Sequence, residues 1–357
     1  MLQRLVIGAG LALAAAAAAR HWRMLTLRGA WAAWVLGTLL FTGGGWGAGL
    51  VLLLFFFSAS LLSRLPESDA CERSRRRRSS GELKSQGVEA LADDLHETTR
   101  NGWQVWANGG VAVAFALLPA VVQHLAPWLS FESYPLSRLP SLTRAFAFPG
   151  SPSVLLAPVG WAGLTAAIAE ATGDTWASEI GRRYGGTPRR LRDWRPVPAG
   201  SSGGVTAIGT AAAAAGALLI TSASWLFWRW GLYPLLPFNG GALYGTVPNV
   251  SANRLPDALP GTPSTGLVSS PVVIAVVAGA AWLAVWFDSW LGASYQARFW
   301  CPRCRTETEA RVHRCGARTM RHSGWRWLDN NMVNFLSTLL AALLATSLTI
   351  AIFAIQR

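Results

Sequence analysis

Residues 153–204 read SVLLAPVGWAGLTAAIAEATGDTWASEIGRRYGGTPRRLRDWRPVPAGSSGG. The stretch opens as an apolar block of about 20 residues, the length that crosses a bilayer. Its end carries the carboxylates Glu170, Asp174 and Glu179. Arginines follow at 182, 183, 189, 190, 192 and 195, and the turn Gly200-Ser201-Ser202-Gly203-Gly204 closes it. Acid in or near hydrocarbon is expensive and marks function. Acid beside arginines and glycines points to a site for phosphate and metal.

The rest of the chain repeats the apolar theme. Of 357 residues, 52% are hydrophobic and only 14% charged, with a mean hydropathy of +0.31. A soluble domain carries nearer a quarter charged residues. Bilayer-length blocks lie near 2–19, 25–42, 46–62, 104–124, 153–173, 205–228, 271–293 and 332–354. The fold class expected is an all-α polytopic membrane protein with about eight transmembrane helices. The first block is followed by Arg20, His21 and Arg23 rather than a small-residue cleavage site, so it reads as a retained anchor, an extra span over 1–24. Gly43-Gly44-Gly45 alone separates the second and third blocks, which form either a tight hairpin or an interrupted pair.

The net charge of +13 is unevenly spread. Loops 20–28, 63–103, 174–202 and 296–331 hold 25 of the 31 Lys and Arg residues. Cationic loops stay cytoplasmic, so these are expected inside the cell membrane, with both termini outside. The basic residues lack the aromatic interleaving of a nucleic-acid groove, and no nucleic-acid partner is expected. Arg75-Arg76-Arg77-Arg78 reads as a solvated segment that touches anionic lipid. The Pro/Gly/Ser-rich loop 229–270 and the loop 125–152 read as irregular outer connections without chemistry. Nothing in the pattern fixes an oligomeric state.

Several constellations could carry chemistry. Glu170 and Asp174, spaced i, i+4, share a helix face about 6 Å apart, with Ser178 continuing that face and Glu179 beside it. A bound Mg²⁺ would relieve their repulsion and keep positions open for substrate phosphates; the alternative is an ion pair with Arg182 or Arg183. Asp288-Ser289-Trp290 echoes Asp174-Thr175-Trp176, which suggests an internal repeat whose two helices meet at one site. A membrane-centred Asp costs about 3 kcal/mol on insertion scales, so Asp288 needs a partner, and a Mg²⁺ shared with Asp174 supplies one. The turn Gly200, Ser201, Ser202, Gly203, Gly204 allows close backbone approach to an anion. It is no P-loop, because the only lysine is Lys84. Arg100, Gln104 and Asn108 recur at i, i+4, i+8, as a phosphate- or nucleobase-facing wall or as interhelical hydrogen bonds. Asp329 or Asn330 reads as a helix cap, and Asn330, Asn331 and Asn334 as pocket residues. Cys301, Cys304, His313 and Cys315 match a structural Zn²⁺ knuckle over 301–315 in a small cytoplasmic insert. Cys71 is unpaired.

The motifs GDTWASEIG (173–181), PVPAGSSGGV (196–205), RNGWQVWANGG (100–110), DSWLGASYQ (288–296) and LDNNMVNFL (328–336) together resemble those of the transmembrane protein 19 / phytyl-phosphate kinase family. They stand in the family's order and place a kinase-like membrane domain over 25–357. The resemblance implies transfer of a phosphoryl group from a nucleoside triphosphate, with CTP preferred, to a prenyl monophosphate such as phytyl or geranylgeranyl phosphate. In that scheme Asp174 and Asp288 hold Mg²⁺, with Glu170 or Glu179 assisting. Arg100, Arg182 and Arg183 neutralise phosphate charge, and the amides of 200–204 cradle the triphosphate. The zinc insert stabilises the fold, and the extra first span lies apart from the motifs. The other class of reading is a transporter or flippase of prenyl or nucleotide phosphates.

Overall fold

In a computed structural model, residues 2–64, 99–129, 153–233, 271–313 and 315–355 are described. The arginine run at 75–78, Cys71, Lys84 and most of the two outer loops lie outside them. Seven helices are present among the described residues: α1 (Leu2–His21), α2 (Leu27–Ser63), α3 (Gly102–Leu129), α4 (Ser153–Tyr184), α5 (Ala207–Arg229), α6 (Pro271–Ser294) and α7 (Asn330–Ile355). Six are long and apolar enough to cross a membrane. The exception is α4, which carries the acids and arginines on its last turns.

Eight spans and seven helices are reconciled inside α2. A straight helix of 37 residues would reach about 56 Å, nearly twice the hydrocarbon thickness. Gly45 breaks it, with φ 66° and ψ −155°, a conformation an L side chain rarely adopts. The chain then doubles back, so that Gly37 faces Leu52 and Phe41 faces Gly49. The Arg64 guanidinium, just past the end of α2, donates to the Trp22 carbonyl before its start at 2.9 Å. The glycine triplet is therefore a hairpin, with two arms of roughly 27 Å each.

Alternation follows from the contacts at the two ends. At one end Arg100 N donates to Met24 O and Thr26 N to Arg100 O, both at 3.0 Å, and Arg183 reaches the Ser63 carbonyl at 3.4 Å. At the other end Gly47 N donates to Leu232 O at 2.9 Å. The basic connections thus gather at one end of the bundle.

Helix α4 is the centre and packs on α2, α3, α5, α6 and α7. Protein on all sides lets it hold acids that lipid would reject. Its tightest neighbour is α5. Gly173, Ala177 and Gly181 recur every four residues and lie against Gly209 and Ala213. A Cβ on Gly173 would stand 2.9 Å from the Ala213 carbonyl. Small residues at this spacing bring two backbones together where lipid offers no hydrophobic drive.

Two small sheets decorate the basic end. Strands β1 (Arg189–Arg190) and β2 (Gly204–Val205) pair antiparallel. Strands β3 (Arg298–Cys301), β4 (Thr306–Thr308) and β5 (Met320–Ser323) form a sheet of order β4-β3-β5. The insert is thus a short antiparallel sheet with a cysteine at the end of its central strand.

Candidate functional site

A polar cavity of about 320 Å³ opens at the basic end between α4, α5, α6 and the 200–206 segment. Asp174, Ser178, Glu179 and Arg182 enter it from α4, and Asp288 and Ser289 from α6. Gly200 to Gly204 form one wall, and Asn330 enters from α7. Side chains the sequence reading did not single out complete it: Thr206 and Thr210, Trp282 and Trp286, Gln296 and Glu309. Thr206 and Thr210 had a signal, an i, i+4 hydroxyl pair opening an apolar helix. Glu309 had none, because the insert folds back from a distance in sequence.

Glu170 lies one turn deeper on α4 and is 1% exposed. Its Oε1 has no hydrogen-bond partner among the described residues. The Ser337 hydroxyl, on α7, donates to Asp288 Oδ2 at 3.1 Å. Glu170 feels the charges of both Asp288 and Asp174, so three carboxylates from α4 and α6 neighbour one another, two in the cavity wall and Glu170 beneath it. None of the three is closed by an ion pair to Arg182 or Arg183. Those arginines instead bind Glu179: Arg182 Nη2 reaches Oε2 at 2.9 Å, and Arg183 contacts the same oxygen.

Arg183 is a structural residue here. It is buried and also donates to the Glu179 carbonyl at 2.9 Å and to Ser63 O, which ties α4 to the end of α2. Arg182 differs: it lines the cavity, and its buried Nε has no partner among the described residues.

The Gly/Ser turn is held against the end of α6. Gly203 has φ +71°, and a Cβ there would stand 2.3 Å from Ala293 N. Ser202 Oγ donates to Gln296 Oε1 at 2.6 Å. Two amides expected to face an anion are used by the turn itself: Ser201 N bonds Pro198 O at 3.1 Å and Gly204 N bonds Ser201 O at 3.0 Å.

The polar stripe on α3 divides its duties. Asn101 and Gln104 cap the helix reciprocally, with Gln104 Oε1 accepting from Asn101 N at 2.9 Å and Asn101 Oδ1 from Gln104 N at 3.0 Å. This is a capping-box arrangement, which the wall reading of Gln104 overlooked. Asn334 Nδ2 donates to Asn108 Oδ1 at 3.0 Å, the interhelical bond that was the alternative. Asn330 and Asn334, expected to share one pocket, therefore part: Asn330 lines the polar cavity and Asn334 binds α3. Asp329 caps α7 by accepting from Met332 N at 3.0 Å. Asn331 is half-buried and lies outside the cavity lining.

Arg100 stands between the acids and a second cavity. Its guanidinium sits 5.4 Å from the centroid of Phe55. Burial lowers its pKa, and the neighbouring Glu179 and Asp174 carboxylates oppose that fall. The second cavity, of about 230 Å³, is almost wholly apolar and runs between α1 and the α2 hairpin, with Arg100, Gln104 and Asn108 at its edge. The first helix and the RNGWQVWANGG motif thus share a cavity, against the expectation that this span lies apart from the motifs.

The insert holds the metal-ligating group. The ligand atoms of Cys301, Cys304, His313 and Cys315 all lie within 4.8 Å of one another. Cys301 Sγ is 3.6 Å from Cys315 Sγ, and His313 Nδ1 is 3.3 Å from Cys315 Sγ. Tetrahedral zinc with bonds of about 2.3 Å sets sulfurs near 3.8 Å apart, so these residues fit Zn²⁺. Cys304 N also points at Cys301 Sγ at 3.4 Å. The His313 contact holds the Cys315 thiol down at about 6, whereas the Cys315 and Cys301 thiols around Cys304 push it up to about 11. Among the described residues this is the one group of three or more His, Cys, Asp or Glu so closely gathered; the cavity carboxylates stand further apart.

No solved structure matches the chain. Protein PGR of Arabidopsis thaliana is 28% identical over 331 residues, covering 93% of this chain and 91% of that protein. A Synechocystis protein described as uncharacterized membrane protein sll0875 is 26% identical over 198 residues, covering 56% of this chain and 58% of its own length. A family model described as integral membrane protein DUF92 matches residues 10–342, starting inside α1. The chain belongs to the DUF92 family of integral membrane proteins.

Proposed function

We propose that the protein is a membrane-embedded phosphotransferase that moves a phosphoryl group from a nucleoside triphosphate, preferably CTP, to a prenyl monophosphate. The observation that carries this reading is a pair of cavities, one polar and acid-rich and one apolar, with Arg100 lining the apolar one within electrostatic reach of Asp174 and Glu179, which line the polar one. A substrate with an anionic head and an isoprenoid tail needs both environments at once. The five motifs resembling the phytyl-phosphate kinase family supply the reaction class.

In the reaction a non-bridging oxygen of the prenyl phosphate attacks the terminal phosphorus of the nucleotide. The bond to the bridging oxygen breaks, and the nucleoside diphosphate leaves. The attacking phosphate is already anionic at neutral pH, so no strong base is required and catalysis rests on positioning and electrostatics. Arg182, which lines the cavity and whose Nε has no partner among the described residues, would donate to a phosphate oxygen. The turn at 200–204 bounds the nucleotide side, and Ser178 and Ser289 offer hydroxyls. Mg²⁺ suits this cavity because it needs only one or two carboxylates plus substrate phosphates; Asp174 and Asp288 would hold it, with Glu170 in support, and it would neutralise donor charge. The basic end faces the cytoplasm in this scheme, by the distribution of Lys and Arg.

The test is a matrix of four nucleoside triphosphates against a series of prenyl monophosphates, with purified protein and Mg²⁺. Diphosphate product with one nucleotide favoured is expected. Uptake of prenyl or nucleotide phosphate into liposomes, without loss of nucleotide, would replace this reading with the transporter one.

A further inference from the structure

Tail recognition in a single-chain lipid needs a bounded apolar channel with a charge at one mouth. The cavity between α1 and the α2 hairpin meets that description. Ala12, Ala15, Leu36, Gly37 and Phe41 line it, and Phe55 and Arg100 stand at its mouth. Toward the Gly45 turn the lining ends at Phe41 and Trp46, whose rings pack edge to face at 4.9 Å. Along α1 the lining runs from Ala19 near the mouth to Gly8 near that end, roughly 17 Å at helical rise. An extended tail of about four isoprene units has on the order of 16 chain bonds, at ~1.2 Å each about 19 Å.

The mouth is fixed and singly charged. Both backbone groups of Arg100 are tied, its N–H to Met24 O and its carbonyl to Thr26 N. Its guanidinium lies over Phe55. Among the described residues it has no ion pair and no hydrogen bond, although Asp174 and Glu179 are near enough to affect it. A cation at the edge of an apolar cavity, within reach of Asp174 and Glu179 but bonded to neither, keeps its donors for a phosphate on the end of a cavity-bound tail.

We infer that the α1–α2 cavity is the tail site of a prenyl monophosphate, that Arg100 anchors its phosphate, and that the Phe41–Trp46 pair limits tail length. This rests on the phosphotransferase reading for the identity of the head group. A diacyl lipid would have to place its second tail outside this cavity.

The experiment is equilibrium binding of labelled geranyl, farnesyl and geranylgeranyl monophosphates and a longer homologue to the full-length protein in nanodiscs, without nucleotide. Wild-type protein should prefer geranylgeranyl phosphate. Phe41→Ala should shift preference to the longer homologue, and Ala12→Phe should shift it toward farnesyl or geranyl. Arg100→Gln should weaken every monophosphate about tenfold or more and leave the matching prenols unaffected. A variant that misfolds loses all lengths alike, so the opposed shifts keep the test decisive. Length preference unchanged in both cavity variants overturns the tail site. So does equal competition by diacyl phosphatidate. Length shifts as expected, with no nucleotide consumed by any substrate, leave the tail site standing and overturn the kinase reading instead.

Discussion

Replacing Gly203 with alanine tests whether the Gly/Ser turn is a positioned wall of the site. Two costs add. The positive φ of 71° penalises any L side chain by about 1–2 kcal/mol. The new Cβ would also lie 2.3 Å from Ala293 N and 2.5 Å from Ala293 Cα. Both are backbone atoms of α6 and cannot rotate away. Ordinary contact starts at 3.4 Å, so the turn must retreat by about 1 Å, and overpacking of this kind costs about 1–3 kcal/mol. The sum is roughly 2–5 kcal/mol of local destabilisation. Gly200 is the internal control: its φ is +82°, but nothing lies within 4 Å of its Cβ position, so alanine there carries only the strain of about 1–2 kcal/mol. A displacement near 1 Å at a group that positions substrate lowers turnover about 100-fold. Thermal unfolding in detergent and prenyl-phosphate turnover, measured on both variants, read the two quantities. Equal behaviour of Gly203→Ala and Gly200→Ala would refute the reasoning.

Other outcomes follow from single contacts. Arg183→Gln should lower the unfolding temperature markedly, because losing one partner of a buried charge pair costs about 3–5 kcal/mol. Arg182→Gln, removing a partly exposed partner, should change stability by no more than about 1 kcal/mol while cutting turnover; a cycle of denaturation and activity assays separates the two. A double-mutant cycle on Asn108→Ala and Asn334→Ala should return a coupling of about 0.6 kcal/mol, the usual worth of a hydrogen bond between membrane helices. The protein as purified should contain zinc at one ion per chain. After chelation, iodoacetamide at neutral pH should label Cys315, whose thiol is held at about 6 and is ionised there, ahead of Cys304, pushed up to about 11. Raising the pH toward 11 should narrow that gap.

Much of the fold was legible because lipid enforces it. Apolar blocks of bilayer length and the segregation of arginine between loops gave the number of spans, whereas the choice between hairpin and interrupted pair at the glycine triplet stayed open until the backbone of Gly45 decided it. The knuckle was legible because metal ligation demands four donors at close spacing. Helical periodicity put Glu170, Asp174 and Ser178 on one face with Glu179 beside it; Asp174, Ser178 and Glu179 line the polar cavity, and Glu170 lies a turn deeper. What failed was the assignment of partners across helices. Gln104 reads as a wall residue until Asn101 is seen to cap against it. Asn334 reads as a pocket residue until α3 brings Asn108 within reach. Arg183 and Arg182 are neighbours in sequence with the same charge, yet one is buried under the end of α2 and the other lines the cavity. The Gly173–Ala177–Gly181 stripe was in plain view inside the GDTWASEIG motif, but its purpose needs the matching small residues of α5. The echo between Asp174 and Asp288 does place two acids on packed helices. Its tryptophans go separate ways, Trp176 to Ser58 and Trp290 to Tyr295.

The central claim is that carboxylates from α4 and α6 serve one phosphoryl-transfer site. The most direct measurement is Mg²⁺-dependent transfer of terminal ³²P from CTP to geranylgeranyl monophosphate by purified wild-type, Asp174→Asn and Asp288→Asn proteins of matched thermal stability. Each substitution is expected to lower transfer by about 100- to 1,000-fold, the usual effect of removing a group that stabilises transition-state charge. Transfer at the wild-type rate by both variants would contradict it.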